Sequence, residues 1–380
     1  MKAVIAIDSF KGSLSSLSAG RAAAEGIKRI YPNAETVIFP VADGGEGTVD
    51  ALVLGTGGEY VTLRAQDPLG REIECCYGMI HGSTAVIEMS AAAGLTLLTD
   101  SERDPMRTTT YGVGQIIAHA ISRGCRDFLI GIGGSATNDG GIGMLSALGF
   151  DILDKNGAPV RAGALGVRDV CSVSAKNALP ELEDCRFRIA CDVNNPLCGV
   201  RGCSAVYAPQ KGAGVEDIEK MDAWLADYAK RVREVFPSAD PDAAGAGAAG
   251  GVGFAFMSFL SGSLCSGISL VLDTIGIEDA IKDADIVVTG EGRIDRQTAM
   301  GKAPAGIAAI AKKHCKRVVA FSGCAAREAS ACNQAGIDAF FPILRMPSTL
   351  AGAMDQDNAA LNLADTAEQV FSLIRSFEVK

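Results

Sequence analysis

Apolar and polar positions follow two different rhythms along this chain. Ala3-Val-Ile-Ala-Ile is an unbroken apolar run, which predicts a buried strand. Leu14, Leu17, Ala24 and Ile27 follow at helical spacing, and Thr36-Val-Ile-Phe predicts a second strand. From about residue 60 the rhythm changes. Tyr60-Val-Thr-Leu, Glu72-Ile-Glu-Cys-Cys-Tyr and Ala85-Val-Ile-Glu-Met read as short strands joined by turns such as Asp67-Pro-Leu-Gly, which predicts a meander. A helix at about 112–122 and the strand Phe128-Leu-Ile come next. Ile218, Met221, Leu225, Tyr228, Val232 and Val235 then mark a helix packing one face on a core. Ala243 to Gly253 is low in complexity and reads as a loop opening a helix. After about residue 280, Asp285-Ile-Val-Val, Arg317-Val-Val-Ala-Phe and Ala339-Phe-Phe-Pro-Ile are strands between helical patterns, and a helix over 359–377 closes the chain.

The two rhythms predict an α/β protein of two domains. Both chain ends, 1–60 plus 281–380, build one parallel sheet of five strands, and 61–280 forms an inserted mixed α/β domain. In such architectures ligands sit at the carboxyl ends of strands and between domains, so the active site is expected in the cleft. A length of 380 residues exceeds the usual ceiling for one domain. The net charge of −10 argues against nucleic acid or an anionic membrane as main partner, because both reward a basic surface. Twelve scattered cysteines include no Cys-x-x-Cys pair, and three histidines make a histidine metal site unpromising. With no long apolar segment at the amino terminus, the thiols read as reduced in a cytoplasmic protein.

Chemistry concentrates where strands are expected to end. Gly131-Ile-Gly-Gly-Ser-Ala-Thr-Asn-Asp-Gly-Gly-Ile-Gly143 holds six glycines around Ser135, Thr137, Asn138 and Asp139. Glycines let backbone N–H groups converge on an anion, phosphate above all. Asp8-Ser-Phe-Lys-Gly-Ser follows the first strand; Lys11 suits phosphate oxygens, and Asp8 suits a magnesium ion or that lysine. Asp43 and Glu46 lie among glycines after the second strand, and Glu46 suits a metal or a substrate hydroxyl. Asp192, Asn194 and Asn195 suit a polyhydroxylated acid and the removal of its proton. Glu291, Arg293 and Asp295 follow a buried strand, with Lys302 just beyond, and are costly there as decoration.

One rival reading is a dinucleotide fingerprint. Gly131, Gly133 and Ala136 match its spacing with Asp151 and Asp154 downstream, but Thr137-Asn-Asp-Gly-Gly interrupts the helix start. Gly245, Gly247 and Gly250 match it too, without a preceding strand. No G-x-x-x-x-G-K-[ST] occurs.

Seven blocks together resemble the bacterial glycerate kinases of the type-1 family. They are Asp8-Ser-Phe-Lys-Gly-Ser, Ala42-Asp-Gly-Gly-Glu-Gly-Thr, Gly131-Ile-Gly-Gly-Ser-Ala-Thr-Asn-Asp-Gly-Gly, Cys191-Asp-Val-Asn-Asn-Pro-Leu-Cys, Pro209-Gln-Lys-Gly-Ala, Gly245-Ala-Gly-Ala-Ala-Gly-Gly and Thr289-Gly-Glu-Gly-Arg-Ile-Asp. They occur in the family's order and span nearly the whole chain; Ala244 stands where the family pattern has a proline. The resemblance implies a flavodoxin-like outer domain and ATP-dependent, magnesium-assisted phosphorylation of D-glycerate, with the 2-position favoured. On that reading the triphosphate is expected against the backbone amides of 133–141, with Gly133, Gly134, Ser135, Thr137, Asn138, Asp139 and Gly140 as the nucleotide candidates and Lys11 or Lys302 on its oxygens. Mg²⁺ then falls to Glu291, with Asp295, and Arg293 is a candidate for the glycerate carboxylate. Ser9, Asp43, Glu46, Asn194 and Asn195 are the other substrate candidates, and Asp192 is the candidate base. Which end of the substrates the glycine stretch meets stays open at this level. Two alternatives are an NAD(P)-dependent hydroxy-acid oxidoreductase, which the fingerprint spacing favours, and a non-catalytic binder of small acids.

Overall fold

A computed structural model describes residues 1–378. The chain divides into two compact units. Unit 1 comprises Met1–Asp43, Asp50–Gly57 and the chain from Ile268 onward; unit 2 comprises Gly44–Val49 and Gly58–Gly267.

Unit 1 opens with β1 (Lys2–Ile7), the helix Ser16–Ile30 and β2 (Glu35–Ile38). The helix starts where the Ser15 hydroxyl accepts from the Ser18 amide and ends with Lys28 and Arg29, whose charge suits a helix carboxyl terminus. It buries the small residues Ala19, Ala23 and Gly26 beside Ile27. A Cβ on Gly26 would lie 2.1 Å from the Ala364 carbonyl oxygen, so only glycine lets the closing helix approach this closely.

Unit 2 carries β3 (Glu59–Gln66), β4 (Glu72–Ile80), β5 (Thr84–Glu88) and β6 (Asp127–Gly131). Farther along lie β7 (Asp151–Leu153), β8 (Ser172–Ser174), β9 (Arg186–Ala190) and β10 (Ser263–Cys265). Its main sheet runs β10-β9-β6-β5-β4-β3. The expected meander is β3, β4 and β5, which pair antiparallel; β5, β6, β9 and β10 pair parallel. β7 and β8 form a separate two-stranded ribbon. Parallel strands are buried on both faces, and β5 and β6 supply Ile87, Phe128 and Ile130 to the core. Phe128 stacks on Phe187 of β9 with ring centroids 4.8 Å apart. The helix Val215–Val235 buries Met221, Leu225, Tyr228 and Val232, as its spacing predicts, while Val235 is exposed.

The chain then completes unit 1 with β11 (Ile286–Ile294), β12 (Arg317–Ala325) and β13 (Ala339–Pro342). The five strands form one parallel sheet in the order β13-β12-β11-β1-β2. Taken in chain order within this unit, that is the flavodoxin-like arrangement, whose switch point lies between the first and third strands, here β1 and β11. The helix Gln356–Glu378 packs Leu363, Ala367 and Phe371 into the core of this unit. The Cys75, Cys185 and Cys203 thiols are free, and burial raises their pKa to about 11. Among the described residues no helix is long and apolar enough to cross a membrane.

Candidate functional site

The carboxyl ends of β1 and β11 flank the switch point of unit 1, and a cavity of about 610 Å³ opens there. Eight of the residues singled out in the sequence line it: Asp8, Ser9, Lys11, Asp43, Glu291, Arg293, Asp295 and Lys302. The backbone fixes them in place. The Asp8 amide donates to the Gly290 carbonyl at 2.9 Å, which ties the end of β1 to β11. The Ser16 hydroxyl donates to the Ile7 carbonyl at 2.5 Å and accepts from the Val41 amide at 2.8 Å, joining the segments that follow β1 and β2. Ser15 caps the helix that follows. Ser13 instead lines the cavity, with a buried hydroxyl that has no partner.

Carboxylates crowd one side of this cavity. Burial pushes the Asp8 carboxyl up to about 7, and the Asp43 and Glu291 carboxylates add to the rise against the Ser9 amide, which donates to Asp8 Oδ1 at 2.7 Å. Glu291 is also raised, chiefly by burial, although the Thr298 hydroxyl donates to it and Lys302 lies 3.9 Å away. Asp295 differs. Its carboxylate accepts the Gln297 amide at 2.8 Å and faces Arg293 at 3.7 Å, so it shapes its own turn.

Among the described residues no three metal-ligating side chains form a ready cage. Magnesium ordinarily takes one or two carboxylates and completes its shell with substrate phosphates and water. Asp8 and Glu291, whose charged forms are held at a disadvantage by burial and by like charge, have the donor chemistry that a divalent cation relieves. Asp295, committed to Arg293 and Gln297, fits that role poorly.

The glycine stretch belongs to unit 2 and has a different character. Thr137, Asn138 and Asp139 are fully buried. Asp139 accepts the Thr110 amide at 2.8 Å, the Thr110 hydroxyl at 2.9 Å, and the Gly141 and Gly143 amides at 3.1 and 3.4 Å. Burial still raises its pKa against those bonds. Asn138 donates to the Ser204 hydroxyl at 2.9 Å. Beneath them lies Lys211, whose Nζ donates to Ser135 Oγ at 2.9 Å and to the Thr137 carbonyl at 2.6 Å, and whose pKa burial lowers to about 8.

Several amides expected to cradle phosphate are thus committed within the chain. Ala136 donates to the Ala93 carbonyl, Gly140 to that of Gly250, and Gly141 to Asp139. Gly133 and Gly134 are the exposed part of the stretch. Gly131 has a packing role, since a Cβ there would lie 2.5 Å from the Gly44 carbonyl oxygen. The acids invoked for a dinucleotide ribose are also occupied. Asp151 accepts from Asn177 Nδ2 at 3.0 Å, and Asp154 accepts the Asn156 and Ala158 amides of its own turn. Gly250 packs against this stretch as well, where a Cβ would lie 2.2 Å from the Thr137 carbonyl oxygen.

Asp192 follows β9, is exposed, and accepts the Gly267 amide at 3.2 Å. Asn194 is exposed, whereas Asn195 accepts from the Tyr207 hydroxyl at 2.6 Å and donates to the Arg201 carbonyl, so its amide is structural. Glu46 is exposed in the short Gly44–Val49 segment of unit 2. The sequence reading missed the other wall of the unit 1 cavity, built by Ile343, Leu344, Leu350 and Met354.

A model of the glycerate kinase family matches residues 3–375. A glycerate kinase of Haemophilus influenzae is 44% identical over 371 residues, covering 97% of this chain and 98% of that protein. A glycerate 2-kinase of Escherichia coli is 42% identical, covering 96% and 98%. A crystal structure from Salmonella typhimurium LT2 superposes with a TM-score of 0.92 at 41% identity, covering 100% of this chain and 99% of that one.

Proposed function

Because the chain belongs to the glycerate kinase family, we propose that it transfers the γ-phosphoryl group of ATP to the 2-hydroxyl of D-glycerate. One observation supports this most directly. Lys11, Arg293 and Lys302 share a single cavity with Asp8, Asp43 and Glu291 at the switch point of a flavodoxin-like sheet. Phosphoryl transfer needs positioning and charge neutralisation more than covalent help, and cations beside carboxylates supply both.

Lys11 and Lys302 hold phosphate oxygens, and Arg293 is the cation for the glycerate carboxylate. Asp8 and Glu291 are the carboxylates that would hold Mg²⁺, which when bound neutralises charge on the β- and γ-phosphates. In unit 2, Asp192 is the proposed acceptor of the hydroxyl proton, its carboxylate oriented by the Gly267 amide. The fingerprint spacing that favoured nicotinamide chemistry lies in residues occupied by packing and by their own turns.

The product decides the reading. Purified protein with ATP, Mg²⁺ and D-glycerate should yield 2-phosphoglycerate by phosphorus NMR. The product should feed enolase directly, with no mutase present. Product that enolase consumes only after mutase is added would mean transfer to the 3-hydroxyl, and NAD(P) reduction without ATP use would overturn the proposal.

A further inference from the structure

We propose that the apolar half of the unit 1 cavity seats the base and ribose of the phosphoryl donor, with the triphosphate directed to Lys11 and Lys302. The proposal rests on ATP as donor and moves the nucleotide away from the glycine stretch, where the sequence placed it.

The cavity has two chemically distinct ends. One carries the cations and carboxylates already described. The other is lined by Phe10, Ile343, Leu344, Leu350, Ala353 and Met354. Three of these expose apolar surface to solvent: Leu350 is 80% exposed, Leu344 42% and Met354 37%. Apolar side chains gathered at the rim of a cavity mark a ligand or partner surface rather than idle packing. Glycerate offers nothing to such a wall, because each of its three carbons carries oxygen. A purine has two broad apolar faces, and its burial there would be favourable at both rings. A volume of about 610 Å³ also lies in the range typical of nucleotide-sized ligands and is generous for a three-carbon acid alone.

The two ends are held together by close backbone approach. Gly12 has φ +75°, and a Cβ there would lie 2.8 Å from Met354 Cε, so the loop carrying Lys11 lies against the apolar wall. The floor is equally bare. A Cβ on Gly323 would lie 2.6 Å from the Gly292 carbonyl oxygen. The Ile343 amide donates to the Ser322 carbonyl at 2.8 Å and fixes where the wall begins. Ser13 also lines the cavity, with a buried hydroxyl that has no partner. Methionine and leucine adapt readily to a flat ring.

The test uses the full chain and a fluorescent nucleotide, mant-ATP, with inorganic tripolyphosphate as a competitor that lacks a base. Leu350→Ser with Met354→Ser changes polarity without adding charge, and exposed positions tolerate it. The double variant should raise the mant-ATP Kd by about tenfold while the tripolyphosphate Kd stays unchanged. Leu350→Met should bind like the wild type. An unchanged mant-ATP Kd, or equal weakening of tripolyphosphate, would overturn the proposal. Glycerate phosphorylation by the wild type is run in parallel. Wall-dependent nucleotide binding without glycerate phosphorylation would defeat the proposed function and leave this site standing. Phosphorylation with unaltered nucleotide affinity in the double variant would do the reverse.

Discussion

Lys211 donates from Nζ to the Thr137 carbonyl at 2.6 Å, so an ammonium closed off from solvent holds the glycine stretch from beneath. Burial pulls its pKa from an ordinary 10.5 to about 8. The folded protein therefore releases this proton at lower pH than the unfolded chain does. Between about pH 8 and 10.5 the unfolded chain binds more protons, and this group's contribution to stability rises with pH. Below about pH 8 the full cost of burying the charge is present. Lys211→Met removes the titration. The urea midpoint of the wild type relative to Lys211→Met should improve from pH 8 to 10, and a flat difference would contradict the assignment.

Asp139 accepts four hydrogen bonds while fully buried. Asp139→Ala leaves those donors unsatisfied and should destabilise unit 2 by about 3 kcal/mol. Urea denaturation measures this. Thermal and urea midpoints equal to wild type would show that the carboxylate is not the structural centre of the stretch.

Lys11 and Lys302 are proposed to meet phosphate. Each alanine variant should lower kcat/KM for ATP by about 10²-fold with little change in thermal midpoint, since neither side chain is buried. Steady-state kinetics at saturating D-glycerate reads the effect. A loss confined to KM for glycerate would reassign the lysine to the other substrate.

Asp192→Asn should lower kcat by about 10²-fold or more with KM for both substrates nearly unchanged. The variant keeps the acceptor oxygen for the Gly267 amide, so folding is preserved. A near-native kcat would remove Asp192 from the base role.

Gly131→Ala places a Cβ 2.5 Å from the Gly44 carbonyl oxygen. The backbone of the Gly44–Val49 segment must shift, at a cost of about 1–3 kcal/mol by the usual scale of overpacking. Differential scanning calorimetry should show a lowered midpoint.

The strands of unit 1 are legible in the sequence because they are central and parallel. Burial on both faces writes Ala3 to Ile7 and Ile286 to Val288 as unbroken apolar runs. The turn chemistry around Asp67-Pro-Leu-Gly announces β3 and β4 in the same way. β7, β8 and β10 are three residues each and carry no period of their own; tertiary pairing alone defines them. The parallel pairing of β5 with β6 is hidden for a related reason, since the chain between them reads equally well as the exit from a meander.

The candidate site divides similarly. Asp8, Lys11, Glu291 and Lys302 are legible because charge directly after a buried strand is costly without a purpose. The burial of Thr137, Asn138 and Asp139 is not, because it depends on Lys211 and on Thr110, both distant in the chain. Glycine-rich sequence announces close approach without saying whether a ligand or another backbone approaches. The apolar wall was also illegible, since Leu350 and Met354 begin and end a helix of only five residues, too short for a period to show, and Leu344 lies before it beyond Pro347. Their one signal is large apolar residues in a segment that folding alone would leave polar.

The partner of Ala3 in the central sheet of unit 1 is Ile286, and that pairing sets an order of events during synthesis. The first strand leaves the ribosome early, finds β2 soon after, and keeps its other edge open until β11 has followed. Residues 58–267 have no such delay, because all but a few residues of their unit are contiguous and emerge together. Translation should therefore deliver a folded unit 2 while unit 1 still lacks β11, β12 and β13. The interval before β11 appears is then when this protein is most exposed to aggregation and most dependent on chaperones.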